Sequence, residues 1–408
     1  MSIGSVHANP GISAARAGAT PVGTGSATAN ARSTGVRRLC IVTPMLSATQ
    51  PGGAEYQIER LVDVLNSTGR FDIYYLNSVA DSTAGSDRYR SVRVGNDSQP
   101  PRFGYLCQAV PLYKALEEIQ PHAIYQRVAC GYTGVCAYYA RRHGANLVWH
   151  VAHDSDVSPG MSLDGRNPVR RFLEKRSVEY GIRRASRIVT QTAEQAFLLE
   201  RNYHRKADAV IPNFHPAPDE KIDKSGERIV AWVAGIKPWK RPEAFLNLAA
   251  ALRDVPDVRF VMVGGNSTGK GEKPWAQALL RRIGQAPNLQ YLGEQSQSQV
   301  NALLARAHVF VNTSRYEGFP NTFIQAWMRE VPVVSLQVDP DRLLEDQGIG
   351  IVCDNSEERL AAAVRTLIAD PAKRAAYARK AHEYAMARHS MANAAGLAEL
   401  IDTGGRPH

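Results

Sequence analysis

The chain has 408 residues, 44% of them hydrophobic and 22% charged, with a formal net charge of +10. That length exceeds what one core usually fills, so about two domains are expected. No apolar run approaches the roughly 18 to 20 residues that a bilayer span needs, and no strand interleaves aromatic with basic residues, so neither a membrane span nor nucleic-acid binding is expected.

Residues 1–36 are mostly Ala, Gly, Ser and Thr, too poor in large apolar side chains to offset the entropy of ordering, and disorder is expected there. The segment also lacks the continuous apolar stretch of a signal peptide, so a cytoplasmic protein is expected. The five cysteines (Cys40, Cys107, Cys130, Cys136 and Cys353) show no metal-ligand spacing and suit a reducing compartment. Cys40 and Cys353 lie in apolar surroundings and read as small core residues.

From Arg38 onward strands and helices alternate. Leu39 to Thr43 reads as a buried strand, and a Gly-rich loop leads to Ile58, Leu61, Val62 and Leu65 at helical spacing. A strand is predicted near 73–76, a helix near 106–119 and a strand near 147–152. Residues 213–226 are polar with two prolines and read as a linker. The alternation then restarts with strands at 229–233 and 258–263, a helix carrying Phe245, Leu248, Ala249 and Leu252, and strands at 309–312 and 331–335. A pair of helices is predicted over about 371–400. This pattern predicts an α/β chain of two Rossmann-like domains, each a parallel sheet covered on both faces. The expected division is a disordered segment (1–36), a first domain (37–215), a second domain (216–385) and a C-terminal helix and tail (386–408).

The most informative segment is VNTSRYEGFPNTFIQAWMREVPVV, residues 311–334. A strand delivers the chain to a tight loop at Glu317, Gly318, Phe319 and Pro320, and a helix follows at once. The amides of Asn321 and Thr322 then lie at the positive end of that helix, a ready site for a pyrophosphate.

Residues 309–334 resemble the signature of the retaining glycosyltransferases of family 4, the glycosyl transferases group 1, which have the GT-B fold of two Rossmann-like domains facing across a cleft. That family carries a Glu, a Gly-Phe-Gly or Gly-Phe-Pro, and a second Glu eight positions after the first. Glu317 matches the first, and Gln325 stands where the second would be. PGGAEYQIERLV resembles the loop in which Gly52 and Gly53 approach the donor phosphate. WHVAHDSD resembles the segment whose His, here His153, lies at the transferred sugar. RRASRIVTQTAEQ and AVIPNF resemble the passage into the second domain. VAGIKPWKRPE resembles the loop whose Lys, here Lys240, contacts the diphosphate, and VMVGGN, with Gly264, resembles a loop lining the nucleotide pocket.

The resemblance implies His153 and Glu317 as catalytic residues. It implies Gly52, Gly53, Lys237, Lys240, Gly264, Phe319, Asn321, Thr322 and Gln325 as donor-binding residues. Three departures stand out: Gln325 lacks the carboxylate that helps hold the ribose, Gly235 replaces a frequent Arg, and Glu330 replaces a Gly. Lys237 or Arg241, one turn away from Gly235, is expected to supply the missing charge.

The implied activity is hexosyl transfer from a nucleotide sugar to a glycan or lipid-linked acceptor in cell-surface polysaccharide synthesis, with no metal and no cofactor. Peripheral contact with an anionic membrane is implied through Arg141-Arg142, Arg170-Arg171 and Arg183-Arg184. Three alternatives stay open: a metal-dependent transferase using Asp154 and Asp156, an epimerase of the same architecture, and a nucleotide-sugar-binding protein without transferase activity.

Overall fold

Along the first strand, β1 (Arg37–Val42), Leu39 and Ile41 pack into one apolar cluster while Cys40 and Val42 pack into another. The second domain repeats this in β8 (Arg228–Val233), where Ile229 and Ala231 face one cluster and Val230 and Trp232 the other. Successive side chains point to opposite faces of a strand, so burial on both faces makes the strands read as unbroken apolar runs. The computed structural model describes residues 35–43, 52–78, 87–95, 105–158, 168–265 and 273–403. The disorder expected for 1–36 and the tail after 403 therefore concern residues almost entirely outside this set.

In the first domain β1 is followed by α1 (Gly53–Ser67), β2 (Phe71–Asn77), β3 (Arg90–Arg93), α2 (Ala109–Ile119), β4 (Ala123–Arg127), α3 (Gly131–His143) and β5 (Asn146–His150). Then come α4 (Pro168–Arg184), β6 (Arg187–Thr190), α5 (Ala193–Tyr203) and β7 (Ala209–Val210). The sheet order is β3-β2-β1-β4-β5-β6-β7, parallel throughout.

The second domain runs from β8 through α6 (Pro242–Ala251), β9 (Val258–Val263), α7 (Lys273–Gly284), β10 (Leu289–Tyr291), α8 (Gln297–Arg306) and β11 (Val309–Asn312). It continues with α9 (Asn321–Met328), β12 (Val333–Ser335), α10 (Leu343–Asp346), β13 (Gly350–Val352) and α11 (Glu357–Ala369). Its order, β10-β9-β8-β11-β12-β13, is again all parallel. Both sheets wind outward in one direction and then the other, which puts a switch point between β1 and β4 and a second between β8 and β11. Ligands of such sheets collect beyond the carboxyl ends of the strands at those points.

Two boundaries differ from the sequence reading for a local reason. The helix predicted from 106 starts at Ala109 after a short 3-10 turn, Tyr105–Gln108, with Pro111 in its first turn, where a missing N–H costs nothing. The strand predicted from 331 starts at Val333, because Glu330 takes a left-handed conformation (φ 56°) and Pro332 has no N–H to give a ladder.

The chain ends in α12 (Pro371–Arg388) and α13 (Ala392–Asp402). In α13, Ala394, Leu397, Ala398 and Ile401 form one helical stripe, which packs among Leu39, Ile41, Ile58 and Leu61 of the first domain. Asp402 accepts from Arg70 (2.6 Å) and pairs with Arg37. The last helix thus completes the core of the first domain, and the chain crosses between domains twice.

Candidate functional site

Two loops leave the second-domain switch point together. After β8 the chain makes a short 3-10 turn, Pro238–Lys240, then enters α6 through Arg241, which is left-handed (φ 49°). After β11 it reaches Glu317. The Lys240 ammonium binds the Glu317 carboxylate directly, with the two side chains only 19% and 17% exposed. Ser314 Oγ donates to the same Glu317 oxygen at 2.7 Å. Thr313 Oγ1 donates to the Lys240 carbonyl (2.6 Å) and accepts from Trp232 Nε1 (2.9 Å). The Arg315 amide donates to the Trp239 carbonyl (2.8 Å). A cation and an anion are therefore held beside the switch point on two loops fastened to each other. Pro320 precedes α9 and has no side chain to cap it, so the positive end of α9 opens next to this pair.

The first domain meets these loops closely. A Cβ on Gly318 would lie 2.9 Å from the Ala152 carbonyl oxygen and 3.1 Å from His153 Cα, so glycine is what lets the Glu317 loop sit against the His153 segment. The His153 ring meets Tyr316 edge-on at 5.9 Å, and its Nδ1 accepts the Ser155 N–H (3.0 Å), which leaves Nε2 as the donor of the neutral ring. Asn321 Nδ2 donates to the Gly53 carbonyl (2.9 Å), and Gln57 Nε2 donates to Asn321 Oδ1 (3.1 Å). A Cβ on Gly53 would lie 2.6 Å from Asn321 Nδ2. Here the missing side chain makes room for the facing domain.

Asp154 and Asp156 are engaged in holding the loop. Asp156 is buried, and its Oδ2 accepts the Ala152 and His153 N–H groups at 2.9 and 3.0 Å, while Asp154 Oδ1 accepts Gln195 Nε2 at 3.0 Å. Burial raises both carboxyls above their ordinary range. Among the described residues no group of three His, Cys, Asp or Glu side chains is placed to hold a metal ion.

Other site residues singled out in the sequence lie at different depths. Lys237 Nζ stands over the Trp239 ring, 5.1 Å from its centre. Arg241 turns away from Gly235 to Asn355 and to Glu357 (3.3 Å). Gly264 passes so close to the preceding loop that a Cβ would lie 1.7 Å from the Ala234 carbonyl oxygen. Gly235 has room instead, with nothing within 3.7 Å of a built Cβ and the nearest atoms, Gly265 O and Lys237 Cε, at 3.8 Å. Gly52 lies exposed just before α1, and Thr322 follows Asn321 in the first turn of α9.

Phe319 is buried, with its ring in the core against His389 (4.8 Å) and Trp327 (6.2 Å). Gln325 is buried, and its Nε2 donates to Asn301 Oδ1 at 2.9 Å. That bond leaves the Gln325 carbonyl oxygen as its acceptor.

A buried knot beneath the site joins Asn213 and Phe214 of the AVIPNF segment to residues that the sequence did not single out. Arg127 Nη2 donates to Asn213 Oδ1 (2.9 Å), and Asn213 Nδ2 donates to the Phe319 carbonyl (3.2 Å), linking the first domain to the Glu317 loop. Gln57 clasps the Phe214 backbone, accepting its N–H and donating to its carbonyl, both at 2.9 Å. His389 Nδ1 bonds the Asn213 carbonyl at 2.7 Å. Burial depresses His215 to about 3 and His389 to about 4, so both stay neutral. A further signal was Gln57, a polar residue on the apolar face of its helix beside Ile58 and Leu61.

Residues 216–384 match the family model described as glycosyl transferases group 1. The D-inositol 3-phosphate glycosyltransferase of Mycobacterium avium is 26% identical over 283 residues, covering 64% of this chain and 63% of that protein. That of Segniliparus rotundus is 28% identical over 250 residues, covering 56% and 55%. The chain thus spans less than two thirds of the length of these curated relatives. Among solved structures, Anabaena HepE in complex with UDP-glucose has a TM-score of 0.71 at 18% identity, covering 90% of this chain and all of its own. Sucrose-phosphate synthase from Thermosynechococcus elongatus has a TM-score of 0.70 at 16% identity, covering 90% and 98%. These likenesses give the fold as GT-B. With two doubly wound sheets and a Lys–Glu pair at the second switch point, the chain has the GT-B fold, and its second domain is similar, over residues 216–384, to the glycosyl transferases group 1.

Proposed function

We propose that the protein is a retaining hexosyltransferase that takes its sugar from a nucleotide sugar and passes it to a glycan or lipid-linked acceptor in cell-surface polysaccharide synthesis. The observation that carries this reading is the Lys240–Glu317 pair at the β8/β11 switch point, next to the open end of α9. A departing nucleoside diphosphate gathers negative charge, and fixed donors aimed at that charge lower the barrier. Lys240, Lys237 and the amides of Asn321 and Thr322 suit that task. Glu317 then accepts from sugar hydroxyls and fixes the pose of the ring. His153 approaches from the first domain, at the contact between the two cleft edges, and Gln325 accepts from the ribose.

The cations and amides supply the charge that a metal would otherwise supply, and the Asp154 and Asp156 carboxylates already hold the loop. Transfer therefore proceeds without a divalent ion. The binding of UDP-glucose by the structurally similar Anabaena HepE makes UDP-glucose the first donor to try. The test is a thermal-shift panel of UDP-, GDP- and ADP-sugars, followed by donor hydrolysis with and without EDTA. One nucleotide sugar should raise the melting temperature and be hydrolysed equally with the chelator present. Binding without hydrolysis would leave a nucleotide-sugar-binding protein, and loss of turnover in EDTA would restore the metal-dependent reading.

A further inference from the structure

The first amides of a helix have no preceding turn to bond, so their acceptors must come from elsewhere. In α5 of the first domain Thr192 Oγ1 accepts the Gln195 N–H at 3.1 Å, as an N-cap does. The Ala193 and Glu194 amides are taken by a residue of the second domain. Asp341 Oδ2 accepts the first at 2.9 Å and Oδ1 the second at 3.0 Å. A carboxylate set on two amides at the positive end of a helix is a charge-assisted contact, and here it spans the domain boundary.

The turn between β12 and α10 is bent to make this contact. Asp341 (φ 49°) and Arg342 (φ 55°) both take the left-handed conformation, which is costly for a residue with a side chain and is kept only where the surroundings hold it. Asp339 anchors the turn by accepting the Leu344 N–H at 2.8 Å. Asp341 itself is exposed, with both carboxylate oxygens spent on the first domain.

Helix α5 in turn carries the His153 segment. Gln195 Nε2 donates to Asp154 Oδ1 at 3.0 Å, and Asn202 Nδ2 donates to the Val157 carbonyl at 2.8 Å, so one helix holds both ends of the short turn Asp154–Val157. Gln195 is buried, and its Nε2 would lie 3.4 Å from a Cβ on Gly318, at the meeting of the two cleft edges. The helical turn that holds Asp154 is the one that Asp341 grips.

We propose that Asp341 is a positioning residue, which clasps the start of α5 from the second domain and so sets His153, through Gln195 and Asp154, against Glu317. Each domain keeps its own core without the clasp, but α5 and the His153 turn are then free to drift from the Glu317 loop. The effect on turnover rests on the transferase reading; the clasp does not.

The test uses three variants of the full chain. Asp341→Gly keeps the turn, because glycine suits a left-handed position, and removes only the carboxylate. Asp341→Asn also tolerates that conformation and keeps one acceptor oxygen without the charge. Arg342→Gly is the control, since it relieves the neighbouring left-handed residue and costs only exposed ion pairs with Glu345 and Asp346. Hydrogen exchange reads the 193–195 amides directly. Donor hydrolysis at saturating UDP-glucose and calorimetric UDP-glucose affinity separate positioning from binding.

Asp341→Gly should speed exchange at 193–195 by about tenfold, as a local opening becomes easier. The saturated rate should fall about tenfold through misplacement of His153, while Kd changes by no more than about twofold, because Lys240, Glu317 and the start of α9 lie in the other domain. Asp341→Asn should fall between this variant and the native chain, and Arg342→Gly should match the native chain in all three measurements. Native exchange at 193–195 in Asp341→Gly, or native turnover despite faster exchange, overturns the proposal. So does an affinity that falls as far as turnover, or exchange that rises through β12, α10 and β13, since Asp341 would then serve the fold of its own domain. If the native chain hydrolyses no donor, the transferase reading falls and exchange at 193–195 decides the clasp.

Discussion

The two cleft edges share one topology and divide the work between them. On the second-domain edge the polar groups are left available: Lys240 and Glu317 meet each other beside an uncapped helix end. On the first-domain edge the carboxylates are used internally, with Asp156 holding two backbone amides and Asp154 holding Gln195. The charge suited to a nucleotide sugar gathers on one side, while the other provides shape and a single histidine. A doubly wound sheet thus marks where a ligand gathers, and the loops decide which edge holds charge for it.

The sharpest way to break this contrast is Glu317→Gln, which keeps shape and hydrogen bonding but removes the charge. Turnover should fall by about 100-fold or more, the scale of losing a fixed electrostatic contact in a reaction site. Melting should shift little, because the partner Lys240 still reaches water. Steady-state kinetics and a melting curve decide it. Activity within about twofold of native would move the chemistry away from this edge.

A smaller effect is expected from the contact between the edges. Gly318→Ala puts a methyl group 2.9 Å from the Ala152 carbonyl oxygen, and backbone must move to admit it. A stability loss of about 1 to 3 kcal/mol is expected from such overpacking. Turnover should drop about tenfold as His153 and Glu317 separate. Gly235→Ala is the matched control, since its nearest neighbours lie at 3.8 Å, and it should match native in both assays. Parity of the two variants would show that the edges do not need to approach this closely.

The smallest effect tests whether the second edge is short of charge. Gly235→Arg adds a guanidinium-bearing side chain beside Lys237, at a position where a Cβ meets only ordinary contacts and the backbone has no positive φ. Donor affinity should rise by about threefold to tenfold, since a charge-assisted bond contributes roughly 1 kcal/mol or more, as isothermal titration would read. Unchanged affinity would mean that Lys237 already meets the need.

Much of the fold was legible because it is written locally. Strands buried on both faces read as short apolar runs, helices show their own period, and Glu317 sits in a contiguous strand–loop–helix segment whose dipole follows from chain direction alone. The matched family residues Lys240 and Glu317 lie 77 positions apart, yet each leaves the end of its own strand, so their meeting follows once β8 and β11 are neighbours.

What the sequence left open depends on partners distant along the chain and on orientation. Whether Phe319 faced a ligand or the core rested on His389, and the bonding of Gln325 rested on Asn301. The last helix gave a plain apolar stripe, but only tertiary packing showed that it returns to cover β1. The basic pairs were visible as letters, but whether a pair stands at the cleft rim or at the far edge depends on which end of its helix it occupies. The sequence by itself therefore determined the elements, their alternation and the charged loop, since these follow from short-range periodicity and chain direction. Tertiary structure alone decided which side chains face the cleft and which are consumed as struts, because such choices are made by contacts outside the local pattern, from Gln325–Asn301, 24 positions apart, to Arg37–Asp402, 365 apart.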